Sequence, residues 1–392
     1  MGAGERTYLD YNATAPIRPE AADAVARAMA LPGNASSVHA EGRAARGAIE
    51  TARERVAALA GAQAKHIIFT SGGTEANNAV LSPSLWRAGE AGAASLLFVG
   101  ATEHVSVLEG HRFAPEVVRR TPVDRVGVID LAWLDAELAR HEGRRRVLVS
   151  VQIANNETGV LQPIAEVARI VHAHGGLLHT DAVQAAGKVP IDSAALGADV
   201  LTLSAHKLGG PKGVGAAVLA SDRIEMSDRL IRGGGQERGF RAGTENVAGI
   251  VGFGAAADIA IRDLAAEPAR LRRLRDACEA AVRRLAPDTV VFGAEAERLP
   301  NTLAFATPGV RAETALIFFD LEGVSVSSGS ACSSGKVRRS HVLEAMGVPP
   351  ALAEGALRVS FGWGSTQNDV ERFAAAYEKL AETLYKRRAN AA

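Results

Sequence analysis

Lys207 follows an apolar run, residues 200–203, and precedes Leu208-Gly209-Gly210-Pro211, so it stands where a short buried strand gives way to a freed and turned backbone. A lysine fixed on such an element yet facing a cavity suits imine formation, because partial desolvation leaves its amine nucleophilic near neutral pH. A surface lysine in a turn is the plain alternative. A second chemical signal precedes it: Ser71-Gly72-Gly73-Thr74-Glu75-Ala76-Asn77 follows the β-branched and aromatic run 67–70 and leads into helical spacing. Strand, glycine pair, hydroxyl, helix start is an arrangement that aims backbone N–H groups at Gly73 and the Thr74 hydroxyl at an anion, with phosphate the expected guest. It lacks the Gly-Lys-Ser/Thr ending of a nucleotide P-loop. The third signal is Cys332, in Ser327-Ser328-Gly329-Ser330-Ala331-Cys332-Ser333-Ser334-Gly335-Lys336, with Arg338 and Arg339 close behind. The segment offers no large apolar neighbours to a buried thiol, and positive charge favours the thiolate, so Cys332 is a candidate nucleophile.

The elements that must position these groups follow one pattern. Apolar strands are expected at 67–70, 95–99, 147–153, 177–179, 200–203 and 214–219, with helices at 19–30, 41–60, 130–140, 164–174 and 246–261. Alternation of this kind implies a mainly parallel, helix-covered sheet whose ligands sit beyond the carboxyl ends of its strands. Polar residues recur at those ends: Thr74, His104, Asn156, Asp181 with Gln184, and Ser204 with His206 and Lys207. Singly, His104 reads as an edge histidine, Asn156 as a turn former and Asp181 as a helix cap. Their coincidence at successive strand ends places them around one crevice. Residues 232–246 are too glycine-rich and charged to pack a core and read as a long functional loop. From about residue 260 the pattern becomes a smaller helix-and-strand unit, with a helix at 268–285, strands at 303–306, 324–327 and 357–361, and a closing helix at 369–387. Cys278 lies at apolar spacing in the first of these helices and reads as an inert core thiol.

Composition bounds the function. The 392 residues are 47% hydrophobic and 22% charged, enough for a large core and more than one domain. Lys+Arg 44 balances Asp+Glu 44, so bulk charge recruits neither nucleic acid nor an acidic membrane. No signal-peptide core or membrane-length apolar run occurs, which implies a cytoplasmic protein. Two cysteines are too few for a disulfide framework or a cysteine-based metal cage, and no metal is expected.

A strand-end amine, an upstream aspartate, an imidazole and a phosphate-type turn together suit pyridoxal 5'-phosphate: the aldehyde for Lys207, the phosphate for hydroxyls and N–H groups, the pyridine nitrogen for a carboxylate. Here the sequence resembles the cysteine desulfurases, fold type I enzymes of the class V aminotransferase group, and in particular the nitrogen-fixation and iron-sulfur-assembly type. The resemblance runs from Tyr8-Leu9-Asp10-Tyr11-Asn12-Ala13-Thr14 to Leu357-Arg358-Val359-Ser360-Phe361-Gly362. Its most specific elements are Ser71-Gly72-Gly73-Thr74-Glu75, Thr102-Glu103-His104, Asn155-Asn156-Glu157, Asp181-Ala182-Val183-Gln184, Ser204-Ala205-His206-Lys207, Gly233-Gly234-Gly235-Gln236-Glu237-Arg238 and the Cys332 segment.

The resemblance implies a large cofactor-binding domain, 14–257, and a small domain, 1–13 with 258–392, carrying the Cys332 loop. It implies that Lys207 tethers the cofactor and moves the substrate α-proton, that Asp181 pairs with the pyridine nitrogen, and that His104 stacks on the ring and takes part in catalysis. Gln184 and Asn156 would lie near the ring oxygen. Gly73, Thr74, Ser204 and His206 would hold the phosphate, with Thr244 reaching in from a neighbouring subunit of a homodimer. Arg358 would clamp the substrate carboxylate, assisted by Asn34 and Asn156. L-Cysteine would become L-alanine, its sulfur passing as a persulfide on Cys332 to an acceptor such as an iron-sulfur scaffold protein. Three positions depart from the family pattern: Ala15, Ala35 and Arg339, the last adding charge beside the cysteine segment. A selenocysteine lyase or transaminase of the same fold, a non-catalytic binding or regulatory protein, and a redox-sensing thiol protein remain alternatives.

Overall fold

The computed structural model describes residues 6–89, 94–141, 146–328 and 339–391, with side chains described as far as residue 383. Apolar residues alternate along the central strands, and both alternations are covered. In Ile67–Thr70, Ile67 and Phe69 enter one core and Ile68 another; in Leu96–Gly100, Leu96 and Phe98 share the first core while Leu97 and Val99 share the second. Strands buried on both faces require helices on both faces. Helices Ala40–Ala60, Leu131–Ala139, Ile164–Ala173 and Val247–Asp263 supply Ile49, Leu134, Val167 and Phe253 to the first core, and Gly73–Val80 supplies Ala76 and Val80 to the second.

The seven strands lie in the order Ile67–Thr70, Gly215–Leu219, Val200–Ser204, Leu177–Asp181, Val147–Ser150, Leu96–Gly100 and Val118–Thr121. All neighbours from Val200–Ser204 to Val118–Thr121 are parallel, whereas Gly215–Leu219 runs antiparallel to both of its partners. Six strands therefore end at one edge of the sheet, and Gly215–Leu219 begins there, with Gly215 opposite both Thr70 and Ser204. Only glycine fits at that point: a Cβ on Gly215 would lie 2.5 Å from the Gly72 carbonyl carbon and 2.6 Å from Leu203 O. The close approach brings the Gly72-Gly73 turn against the strand that ends at Ser204.

A second, antiparallel sheet orders Val290–Val291, Thr302–Ala306, Leu357–Ser360 and Ser327–Ser328. Leu303, Phe305, Val359 and Phe361 pack there with helices Glu267–Leu285 and Gln367–Ala391, and Phe373 stacks between Phe319 and Tyr377 at ring separations of 5.3 and 6.0 Å. The N-terminal strand Thr7–Tyr8 pairs parallel with Val324–Ser325, and Leu9 joins this core. Cys278 is fully buried in it, and burial beside Glu279 pushes its thiol pKa far up, as befits an inert thiol.

Three details differ from the sequence reading. The helix after Thr70 starts at Gly73, so the phosphate-type motif is itself the first turn. The run at 324–327 is broken: Val324–Ser325 and Ser327–Ser328 pair with different strands. Val118–Thr121 escapes an apolar-run search because it is an edge strand with Arg119 and Arg120 exposed, a composition that blocks further pairing.

Candidate active site

A cavity of about 320 Å³ opens at the edge where the strands end. The turn after Ile67–Thr70 contributes Gly73 and Thr74, and the turn after Leu96–Gly100 contributes His104. Asn156 follows Val147–Ser150, Asp181 and Gln184 follow from Leu177–Asp181, and Ser204, His206 and Lys207 close Val200–Ser204. Arg358 reaches the same cavity from the second sheet.

Lys207 occupies the last position of the single turn Ala205–Lys207, and its Nζ donates to Asn12 O (2.5 Å) and Ala13 O (2.8 Å). Burial, and then the Arg358 charge, bring its pKa down to about 8 against the pull of Asp10 and Asp181. A proton shed this readily makes the amine a competent nucleophile and base. Asp181 accepts from Asn77 Nδ2 at Oδ2 (2.8 Å) and from Val183 N at Oδ1 (2.8 Å). His104 Nδ1 accepts from Ser106 N (3.1 Å) and meets Ser106 Oγ at 2.8 Å, and burial first, then Lys207 and His341, hold its pKa below the usual histidine value. Gln184 Nε2 donates to Asn12 O (2.9 Å), and its Oε1 accepts from Lys188 Nζ (3.2 Å). Lys188 is itself buried, its pKa pulled to about 7 by desolvation and then by Lys207 and Arg358.

The donor set fits pyridoxal 5'-phosphate. Among the described residues the hydroxyls of Thr74 and Ser204 and the side-chain amide of Asn156 have no hydrogen-bond partner although all three line the cavity. A Cβ on Gly73 would lie 2.8 Å from Val183 Cγ2, so the helix N-terminus of Gly73–Val80 stays bare where it meets the cavity. Arg358 is 1% exposed; its Nη1 donates to Asn156 O (2.9 Å) and its Nη2 to Asp10 Oδ1 (2.7 Å), which leaves each nitrogen a second hydrogen.

Two expected residues lie elsewhere in the chain. Asn34 does not line the cavity; its Oδ1 accepts from Ser36 N (2.9 Å) within its own turn. Thr244 lines a separate hollow of about 220 Å³ with Thr70, Ser71 and Gly213. Cys332 lies outside the described residues. Its described flanks do reach the site: Ser327 pairs with Arg358, Ser340 Oγ donates to Glu157 Oε2 (2.5 Å), and His341 Nε2 donates to Glu103 O (2.8 Å). Asn12, Asn77, Ser106, Gln152 and Lys188 were not assigned roles from the sequence. For Asn77 a signal exists, its spacing of three from Thr74, which puts both on one helix face.

Glu157 gives the site a pH signature. Burial raises its carboxyl pKa from 4.5 to about 7, against the Ser340 hydrogen bond and the Arg358 charge. The folded state then holds a proton that the unfolded chain has lost, so this group makes stability fall as pH climbs from about 4.5 to about 7, after which the loss is complete. Glu157→Gln keeps an acceptor for Ser340 without the charge. Its stability relative to the native protein should rise between pH 5 and pH 8, by at most on the order of 3 kcal/mol. Denaturant unfolding at the two pH values measures this; parallel shifts of the two proteins would contradict it.

Comparison with known proteins bears on this arrangement. Residues 7–373 match the aminotransferase class-V family model. The chain is 41% identical over 381 residues to cysteine desulfurase IscS of Dictyoglomus turgidum, covering 96% of this chain and 95% of that one. It is 42% identical over 374 residues to a cysteine desulfurase of Gluconacetobacter diazotrophicus, covering 93% and 90%. Among solved structures, a NifS-like protein from Rickettsia africae superposes with a TM-score of 0.86 at 35% identity, over 96% of this chain and 100% of that one. SspA, solved in complex with cysteine, superposes with a TM-score of 0.74 at 27% identity, over 91% and 98%. With the family model matched over residues 7–373, a shared fold and a lysine-bearing cavity at the sheet edge, this chain belongs to the class-V aminotransferase family.

Proposed function

We propose that the protein is a cysteine desulfurase that converts L-cysteine to L-alanine and passes the sulfur to Cys332. The observation that carries the reading is the single cavity joining Lys207, Asp181, His104 and Arg358. Thr74, Ser204, His206 and the bare helix start at Gly73 would hold the phosphate of pyridoxal 5'-phosphate, Asp181 its ring nitrogen, Gln184 and Asn156 its ring oxygen, and His104 its face. Bound there, the cofactor supplies an electron sink for the charge left when an amino acid loses its α-proton. Lys207, with a pKa of about 8, tethers the cofactor and serves as the base that takes and returns that proton. Arg358 turns its spare hydrogens to the substrate carboxylate. The Cys332 thiolate attacks the substrate sulfur: an S–S bond forms as the C–S bond breaks, and the electron pair stays with carbon, which takes a proton and leaves as L-alanine.

Thr244 would complete the phosphate site of a second copy, which makes the active form a homodimer. The persulfide would pass to an acceptor protein such as an iron-sulfur scaffold, in the cytoplasm. Among the described residues no helix is long and apolar enough to cross a membrane. Residues 14–257 would form the cofactor domain, and 1–13 with 258–392 the domain that carries Cys332. The test is to supply L-cysteine to purified protein, with a reductant to release the sulfide and without one to map modified thiols by mass. Equal amounts of alanine and sulfide, with a persulfide on Cys332, are expected. Alanine formation undiminished in Cys332→Ser would refute the thiol's role, and amino-group transfer to a keto acid without sulfide would refute the reaction.

A further inference from the structure

Beneath the cavity, a continuous chain of polar side chains runs from Asn77 and Ser106 in its lining down into the sheet. The register of the parallel strands sets them side by side: Ser150 lies opposite His179, and Thr202 lies opposite Asp181. Ser150, His179 and Thr202 are fully buried, and none of them lines the cavity. Polar groups buried this way must pair, and here the pairing leaves no freedom of direction. Asp181 Oδ2 can only accept from the Asn77 amide, so Nδ2 faces it at 2.8 Å, and the other Nδ2 hydrogen goes to Ser106 Oγ at 2.9 Å. Asn77 Oδ1 then needs a donor, which is Thr202 Oγ1 at 2.7 Å. With its hydrogen committed, Thr202 can only accept at its contact with His179 Nε2 (3.2 Å), so that nitrogen carries the proton. Burial pushes the His179 pKa to about 3 and keeps the ring neutral, so Nδ1 is bare and accepts from Ser150 Oγ at 2.8 Å. On the other branch, Ser106 accepts from Asn77 and gives its own hydrogen to His104 Nδ1. That leaves the His104 proton on Nε2, which has no protein partner among the described residues.

We infer that His179, Thr202 and Asn77 are positioning residues, a one-way hydrogen-bond relay that keeps Asp181 an acceptor on both oxygens and fixes His104 in its Nε2–H form. The inference rests on the cofactor reading for its purpose, since Asp181 and His104 are the groups it serves, but not for its geometry. Losing the Thr202 hydroxyl leaves Asn77 Oδ1 buried without a donor, and the amide is held only from its Nδ2 side. Its donor is then less firmly placed on Asp181, and the carboxylate's hold on a protonated ring nitrogen weakens.

Two measurements test the relay. The ¹⁵N shifts of the His179 ring in labelled protein should report a neutral imidazole protonated on Nε2; a proton on Nδ1, or an imidazolium, would overturn the relay whether or not any variant folds. Thr202→Val should weaken pyridoxal 5'-phosphate binding to the cofactor-free protein by roughly tenfold, the scale of one hydrogen bond to a charged group. Thr202→Ser, which restores the hydroxyl, should stay within about twofold of the native affinity. Native affinity in Thr202→Val, or a Ser variant as weak as the Val variant, would overturn the relay. A native protein that binds no cofactor would instead defeat the functional reading, while the ring shifts would still judge the relay.

Discussion

Lys207→Ala is expected to lower turnover of L-cysteine by on the order of 10²–10⁴-fold, the contribution of a positioned general base, and to lose the covalent hold on the cofactor as well. The size follows from where the side chain sits. Its amine is partly buried, donates to Asn12 O and Ala13 O, and shares one cavity with Asp181 and His104. Lys188, a buried lysine nearby, is engaged with the Gln184 carbonyl (2.8 Å) and amide (3.2 Å) and does not line that cavity, so it offers no substitute base. Lys207→Arg should be as inactive as the alanine variant, because a guanidinium keeps the charge but neither adds to an aldehyde nor releases a proton near pH 8. In the native protein, the rate at which the cofactor-free form takes up pyridoxal 5'-phosphate should rise with pH and level off above about 8, where the amine has lost its proton. Steady-state assays and absorbance-monitored loading check both; an alanine variant that turns over at a tenth of the native rate or more would contradict the assignment.

Arg358→Ala should have the second largest effect, acting on both substrate binding and folding. The guanidinium is buried between Asp10 and Asn156, and its charge helps to depress the Lys207 pKa. Losing a charge-assisted pair with the substrate carboxylate costs about 1.5–3 kcal/mol, so kcat/KM for L-cysteine should fall roughly 10–150-fold. Truncation also strands Asp10 without its partner, and removal of one member of a buried ion pair costs about 3–5 kcal/mol of stability, less here because Asp10 keeps some exposure. Arg358→Lys keeps the charge and loses the fork, so most of its defect should lie in KM. Kinetics over a range of L-cysteine concentrations, together with denaturant unfolding of each variant, separate the two effects. An unchanged KM in both variants would remove Arg358 from the substrate site.

What the sequence reveals of this site depends on how local the signal is. Lys207, Asp181 and His104 are legible because each stands where an apolar run breaks into polar or glycine-rich sequence, and a parallel sheet gathers such breaks at one edge. Arg358 has no such signal: in Leu357-Arg358-Val359-Ser360 it looks like an ordinary alternating strand residue, and only resemblance to a family singles it out. Thr202 and His179 are hidden for a different reason. They are polar residues inside apolar strands, and their partners are set by register between strands that are far apart in sequence. Lys188, in Ala-Ala-Gly-Lys-Val, gives no hint of burial, since its environment comes from Gln184 one turn earlier and from the charges of Lys207 and Arg358. Asn34 and Thr244 stand outside the cavity of the single chain, and no local pattern tells which surface a loop residue will serve.

The most direct measurement is to reduce the purified, cofactor-loaded protein with borohydride, which fixes any imine as a stable secondary amine, and to locate the added phosphopyridoxyl group by peptide mass mapping. It should sit on Lys207, the one lysine among the described residues that lines the cavity with Asp181. A group found on Lys188, whose pKa of about 7 makes it the nearest chemical rival, on Lys212, or on no lysine at all would contradict the claim that Lys207 is the anchor of the reaction.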